Sequence, residues 1–398
     1  MSIINFVAWL ILTALALPAL LACSYLLLQT LLSRRLPLPP HSSRQGRFDV
    51  IVPAHNEVHG IAGTVANLRK IDWPTDQFRI LVVADNCSDD TAAVAKAAGA
   101  TVLERHDPTR RGKGYALQFA FARSREEGWA GAVAIVDADA KVSPNLLEAF
   151  ASRLEMGAQA VQVHYGVLNA GAAWRTRLMA VAMAAYHVIR ARARERLHVS
   201  TGICGNGWCV THALLSQVGY NAFSLTEDME FGIDLGMAGH RVHYADEAHA
   251  SQEMIADGGP TARKQRQRWE HGRFQLIRSR TFPLLRAALE KRSLICLDLA
   301  LDLIVLPLTY VALNVLAFLV LSVLLTFWNG AYLPWVYLAS GSSLCLLLYV
   351  FRGWQLSDTG PRGLLDLAGA PAFVVWKVLL MLSKKRSADW VRTDRKPG

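Results

Sequence analysis

The sequence predicts an α/β domain built on a mostly parallel central sheet and flanked by transmembrane and interfacial helices. Three observations carry this. Long apolar runs occupy residues 3–32 and 294–350. Between them, short β-rich runs alternate with helical patterns, the signature of a parallel sheet covered on both faces. The polar sequences of the middle fall at the ends of those β-rich runs, where open α/β sheets bind ligands.

The first apolar run, Phe6–Leu32, is long enough to span a bilayer. Met1-Ser2-Ile3-Ile4-Asn5 carries no Lys or Arg, unlike the start of a cleaved signal. Arg34 and Arg35 place its far end in the cytoplasm, hence the N-terminus outside. Lys291–Leu306 contains Asp298 and Asp302, which are costly at mid-bilayer, and reads as an amphipathic or interfacial helix, or as the polar start of a tilted one. Pro307–Trp328 is a clean span, Asn329-Gly330 an external turn, and Ala331–Val350 the return, with Phe351-Arg352-Gly353 at the cytoplasmic side. Leu364–Leu382, interrupted by Pro371 and Lys377, reads as a surface or re-entrant segment, and Lys384-Lys385-Arg386 keeps the tail cytoplasmic. The expected organisation is a membrane helix in 1–35, a cytoplasmic domain in 36–290, membrane and interfacial helices in 291–382, and a basic tail in 383–398.

The formal net charge is +10 over 398 residues. Much of it borders apolar spans, where anionic lipid head groups account for it, so no nucleic-acid partner is expected. Six cysteines are scattered without a Cys-x-x-Cys pair, which fits a reducing compartment and no structural zinc. The histidines form no His-Glu-x-x-His set, which argues against a zinc hydrolase.

In the middle, Phe48–Pro53, Arg79–Ala84, Ala100–Glu104 and Gly131–Val136 read as strands, with helices over Ile61–Leu68, Ala92–Ala98 and Gly114–Glu126. No Gly-x-Gly-x-x-Gly follows the first strand and no Walker A spacing occurs, so neither a Rossmann site nor a P-loop is supported. Asp137-Ala138-Asp139 ends the strand Ala132–Val136, and two carboxylates there can converge on a hard cation, Mg²⁺ or Mn²⁺. Thr226-Glu227-Asp228-Met229-Glu230 precedes a helical pattern. Thr226 is a candidate N-cap with acidic residues in the first turn, or one carboxylate serves as a general base. Gln265-x-x-Arg268-Trp269 offers an arginine for a diphosphate and an aromatic face for a sugar ring, or a basic juxtamembrane helix for lipid phosphate. Ser200–Cys209 is a glycine-rich loop with an aromatic, suited to lining a pocket.

Taken in order, these segments resemble the membrane-embedded family 2 glycosyltransferases, the group that includes bacterial cellulose, hyaluronan and chitin-oligosaccharide synthases. Val52-Pro53-Ala54-His55-Asn56-Glu57 is similar to the opening strand and turn, bringing Ala54, Asn56 and Glu57 to the donor. Asp85 resembles the contact to a uracil-type base, and Arg111-Gly112-Lys113-Gly114 the loop near the nucleotide. Asp137 and Asp139 match the metal pair, Thr226-Glu227-Asp228 the motif whose Asp is the base, and Gln265, Arg268 and Trp269 the Gln-x-x-Arg-Trp of processive members. The resemblance implies a GT-A fold, a nucleotide-sugar donor, and inversion at the anomeric carbon. Asp228 and Arg268 would be catalytic, and Gly205, Asn206, Gly207, Trp208, Glu227 and Trp269 would line the acceptor side. The local spelling departs from the cellulose synthases' acceptor loop.

The function expected is metal-dependent transfer of a sugar, UDP-linked, onto a growing poly- or oligosaccharide at the cell inner membrane, by a multi-pass protein with a cytoplasmic catalytic domain. A single transfer onto a membrane lipid is the alternative, and an inactive scaffold among envelope-polysaccharide assembly partners is the alternative of another class.

Overall fold

The structure is a computed structural model describing residues 3–256 and 260–369, the side chains of 260–266 excepted. The basic tail and most of Leu364–Leu382 therefore lie outside the described residues.

Eight strands form one sheet: β1 (Phe48–Ala54), β2 (Phe78–Asp85), β3 (Thr101–Arg105), β4 (Ala132–Ile135), β5 (Ala140–Val142), β6 (Ala160–Val167), β7 (Trp208–Thr211) and β8 (His243–Gln252). Their order is β3-β2-β1-β4-β7-β6-β8-β5. The four strands expected from the sequence are all present, and β1, β2, β3 and β4 pair in parallel. Strand β7 then runs antiparallel between β4 and β6, while β8 pairs parallel to β6 and antiparallel to β5. The sheet is thus parallel in its first half and mixed in its second.

The strands read as unbroken apolar runs because both faces are covered. In β1, Val50 and Val52 join one core with Ile61, Val65, Leu147 and Phe150, whereas Ile51 joins the opposite core with Leu117, Phe121, Leu214 and Phe231. The first core is closed by α2 (Ile61–Leu68), α3 (Thr91–Ala97) and, beyond α4 (Lys113–Glu127), by α5 (Leu146–Glu155). The second is closed by α4 together with α8 (His212–Val218) and α9 (Glu227–Met237).

Helix α1 (Ile3–Leu31) precedes the sheet. Two more helices, α6 (Trp174–Ala184) and α7 (Arg190–Arg196), interrupt it and are joined by a π-helical turn, Ala185–Ile189. After the sheet come α10 (Pro260–Glu290), α11 (Leu294–Ile304), α12 (Leu308–Trp328), α13 (Leu333–Gln355) and α14 (Gly360–Leu367). Helices α1 and α12, and the segment Gly330–Gln355 that contains α13, are long and apolar enough to cross a membrane. The three pack on one another around Leu12, Leu26, Phe318 and Ala339, while Leu10, Leu316 and Leu347 stay exposed on their outer sides.

Helix α11 explains its own acidic residues. Asp298 and Asp302 turn inward, and the outward side carries exposed Leu294 and Leu297. Arg194 Nε lies 2.9 Å from Asp298 Oδ2 and its Nη2 lies 2.8 Å from Asp302 Oδ1, while Arg190 Nη1 lies 2.5 Å from the same oxygen. Tyr25 of α1 donates to Asp298 Oδ1 at 2.8 Å, and Arg190 donates to Tyr349 of α13 at 3.1 Å. Residues 174–196 fall inside the sequence-expected middle domain, yet they fasten it to the apolar helices.

Candidate active site

A cleft of about 670 Å³ opens beyond the carboxyl ends of β1, β2 and β4. Its floor carries Ala54, His55 and Glu57 after β1, Asp85 and Asn86 at the end of β2, and Asp137 and Asp139 after β4. The loop before α4 adds Arg111 and the first residue of α4 adds Lys113, the start of α9 adds Glu227 and Asp228, and α10 adds Arg268, Trp269 and Arg273. Most of the residues expected at the site, spread over the chain from 54 to 269, are therefore brought to one cleft.

On the β2 side, Arg105 Nη1 holds Asp85 Oδ1 at 2.6 Å, and His55 Nδ1 lies 2.7 Å from the Asp85 carbonyl. The rings of Tyr115 and Phe223 stack nearby, with centroids 4.4 Å apart and planes 13° apart. Asn56 does not join the cleft lining. Its left-handed backbone (φ 55°) sends the side chain to the Ser88 backbone N–H, from which Oδ1 accepts at 2.8 Å. It bridges two loops, which corrects its expected place at the donor.

The centre is a charge cluster. Lys113, first residue of α4, donates from Nζ to Asp137 Oδ1 at 2.6 Å and to the Gly205 carbonyl at 2.5 Å, with Glu227 Oε1 at 3.7 Å. Asp228 Oδ2 accepts from the Gly205 N–H. Asp139 Oδ2 accepts from Gln252 Nε2 at 3.2 Å, and Tyr165 donates its hydroxyl to Gln252 Oε1. Burial pushes the carboxyls of both Glu227 and Asp228 above the usual carboxylate range, against the opposing pull of Lys113. Burial alone would depress the Lys113 ammonium, but Asp137 and Glu227 outweigh it and hold the amine above its ordinary value. Thr226 stands at the N-cap position of α9 without a side-chain capping bond. It packs instead against Gly272 of α10, where an added Cβ would stand 2.5 Å from Thr226 Cγ2.

The loop 204–207 joins the metal-type pair to Asp228. Gly205 contacts Asp228, and fully buried Asn206 accepts the Asp137 N–H at 3.1 Å through Oδ1. Gly207 has φ 70°, and an added Cβ would meet Ala250 Cβ at 2.5 Å and Val163 Cγ2 at 2.6 Å. Asn206 and Gly207 therefore shape the site from behind rather than face an acceptor. Gly207→Ala is expected to lower stability by about 1–3 kcal/mol through overpacking, measured as a fall in the thermal unfolding midpoint. Trp208 needs a plain correction: 1% exposed, it packs between Phe121 and Phe231 in the core. As the first residue of β7 it points into the sheet's packed face, away from the cleft.

Gln265 lies in α10, and its side chain is outside the described residues. Cys204, in the glycine-rich loop expected to line a pocket, does line the cleft, and so do Tyr165, Gln252 and the π-turn residues Tyr186 and His187, which the sequence reading did not include. No local motif marks them; β6, β8 and the π-turn bring them in by tertiary pairing. The arginine–aspartate cluster did leave a signal. Arg190 and Arg194, like Asp298 and Asp302, are four apart, which puts each pair on one helix face.

Among the described residues, no three His, Cys, Asp or Glu side chains form a self-sufficient metal site. Asp137 and Asp139 nevertheless suit a hard divalent cation that shares its shell with substrate phosphates. The Lys113 ammonium on Asp137 shows that this carboxylate already collects positive charge.

A carboxylate-rich cleft at strand ends, on a sheet of this order, is the arrangement of a GT-A-like fold. A mannosyltransferase from Pyrobaculum calidifontis, solved with GDP-Man and Mn²⁺, superimposes with TM-score 0.53 at 19% identity, covering 85% of this chain and 98% of that one. The family described as Glycosyl transferase family group 2 matches residues 132–382, and Glycosyl transferase family 2 matches residues 49–214. The chain belongs to the family described as Glycosyl transferase family group 2. Among relatives, a beta-monoglucosyldiacylglycerol synthase of Synechocystis sp. (strain ATCC 27184 / PCC 6803 / Kazusa) is 28% identical over 57% of this chain and 47% of its own length. A glucomannan 4-beta-mannosyltransferase of Arabidopsis thaliana is 24% identical over 60% of this chain and 44% of its own length. The chain thus spans about half the length of the curated relatives it matches.

Proposed function

We propose that this glycosyltransferase moves a sugar, with inversion, from a UDP-linked donor to an acceptor hydroxyl presented at the cell inner membrane. In this reading residues 36–290 form the cytoplasmic catalytic domain, and 1–35 with 291–382 hold it to the bilayer. One observation carries it: a single cavity contains Asp137, Asp139 and Asp228 and also Pro307 and Leu308, at the start of a helix fit to span a membrane.

Asp228 takes the proton from the acceptor hydroxyl, and the Gly205 N–H orients its carboxylate. Asp85, fixed by Arg105, and Ala54 face the nucleotide base. Arg268 and Lys113 meet the negative charge that develops on the leaving diphosphate. Asp137 and Asp139 would hold Mg²⁺ or Mn²⁺, which when bound supplies further neutralisation of that diphosphate. Glu227, Gly205 and Trp269 border the acceptor.

A lipid acceptor is favoured over a long glycan because the three apolar helices share a filled interior around Leu12, Phe318 and Ala339. The naming of a relative as a beta-monoglucosyldiacylglycerol synthase supports the same choice. Elongation of a poly- or oligosaccharide is the second reading, favoured by the Gln265-x-x-Arg268-Trp269 spacing. The test is nucleotide release by purified full-length protein with Mn²⁺ and panels of UDP- and GDP-sugars, with product mass read by mass spectrometry. UDP release that disappears on chelation and in Asp139→Asn is expected. No release with any donor would leave the inactive-scaffold reading standing.

A further inference from the structure

Resting on the transferase reading above, we propose that the acceptor is a lipid alcohol whose apolar tail enters through a slot between α6 with its π-turn and the first turn of α12. Met179, Met183 and Ala185 form one wall of that arm of the cleft, and Pro307 and Leu308 form the other. Met179 and Met183 cluster with Tyr165, Met254 and Trp269, whereas Ala185 and Leu308 join the apolar helix assembly. Helices α6 and α14 pack on α13, and Gly353 of α13 comes so close to the π-turn that an added Cβ would stand 2.9 Å from Ala185 Cβ. This arm therefore adjoins two candidate spans and belongs to the same cavity as Asp228. Methionine walls suit chains of varied length and unsaturation, because the side chain is unbranched and polarisable.

The chemistry at the inner end selects an alcohol over a lipid phosphate. A phosphate oxygen is already ionised and needs no base, yet it would have to approach the buried carboxyls of Glu227 and Asp228. A hydroxyl must lose a proton, and Asp228 is placed to take it. The guanidiniums on this arm are engaged: Arg190 with Asp302 and Tyr349, Arg273 with Tyr186 and the Val305 carbonyl at 3.2 Å. His187, on the same arm, is drawn down to about 3 by burial, so it adds no positive charge at neutral pH.

The test uses the full chain in phosphatidylcholine vesicles with two photoactivatable probes, a diacylglycerol and a polyprenyl phosphate, each carrying a diazirine in its apolar chain. Adducts of the diacylglycerol probe are expected within residues 179–186 and 307–309, displaced by excess unlabelled diacylglycerol. Met183→Trp, which fills the slot, is expected to abolish the displaceable labelling, with Leu308→Trp as the second variant should the first not fold. Adducts confined to outward residues such as Leu10 and Leu347, and not displaced, would overturn the slot. Stronger displaceable labelling by the polyprenyl phosphate would overturn the alcohol. Nucleotide release by the same preparation separates the two levels: release without slot labelling overturns the slot alone, and absence of release overturns the transferase reading beneath it.

Discussion

Replacing Asp228 by Asn is expected to lower kcat by about 10²–10⁴-fold, the usual worth of a positioned general base, while the KM for the nucleotide sugar changes little. Nucleotide release measured against donor concentration checks both. The Asn side chain keeps a carbonyl to accept the Gly205 N–H, so the loop 204–207 should hold its shape. The pH profile adds a signature. Burial holds the Asp228 carboxyl above the usual carboxylate range, and only its ionised form accepts a proton. Activity therefore rises with pH through that raised value and fails below it. Stability runs the other way. A carboxyl whose folded value is raised favours folding most below its ordinary value, and that contribution is lost as pH rises through the raised one. The Asn variant should accordingly unfold at a higher temperature than the parent near neutral pH, with the difference shrinking in acid. A variant that keeps parental kcat removes Asp228 from the chemistry.

Asp302→Ala is expected to destabilise the protein by about 3–5 kcal/mol, the range for breaking a buried ion pair from one side. Asp302 is 6% exposed and faces Arg190, Arg194 and Arg273. Burial pushes its carboxyl up, but the three guanidiniums outweigh this and hold it below the usual carboxylate range. That stabilisation is present above the ordinary carboxylate value and is lost as pH falls toward the depressed one. Thermal unfolding in detergent or nanodiscs reads the loss. Arg286→Ala, which removes an exposed partner of Glu290, is the contrast and should cost no more than about 1 kcal/mol. Equal midpoints for the two variants would show that the cluster does not hold the assembly together.

The parts legible in the sequence were those with a local physical signature. Strands β1, β2 and β4 are buried on both faces, so Val50–Val52, Leu81–Val83 and Ala132–Ile135 announce themselves as apolar runs. The strand ends then locate Asp85, Asp137 and Asp139. The second half of the sheet has no such signature. Strand β8 reads His-Tyr-Ala-Asp-Glu-Ala-His-Ala-Ser-Gln, and its polar residues are satisfied by contacts that no local pattern reveals, such as Asp246 with Arg192 at 2.8 Å. Trp208 misled for the same reason. A glycine-rich loop ends one residue before it, and the strand that follows turns its ring into the core. Helix α7 resembles solvated basic surface until Asp298 and Asp302 supply the partners of Arg190 and Arg194.

The contacts made by Gly353, Tyr349 and Tyr25 have a consequence for selectivity. Because α13 abuts the π-turn and α1 reaches the aspartates, the carboxylates of the cleft cannot rise or sink independently of the apolar helices. With those helices in a bilayer, Asp228 sits at one set height. On the proposed reading, an acceptor would then be sorted first by how far its hydroxyl stands from the hydrocarbon, and only afterwards by shape, so that the protein would act as a depth gauge before it acts as a catalyst.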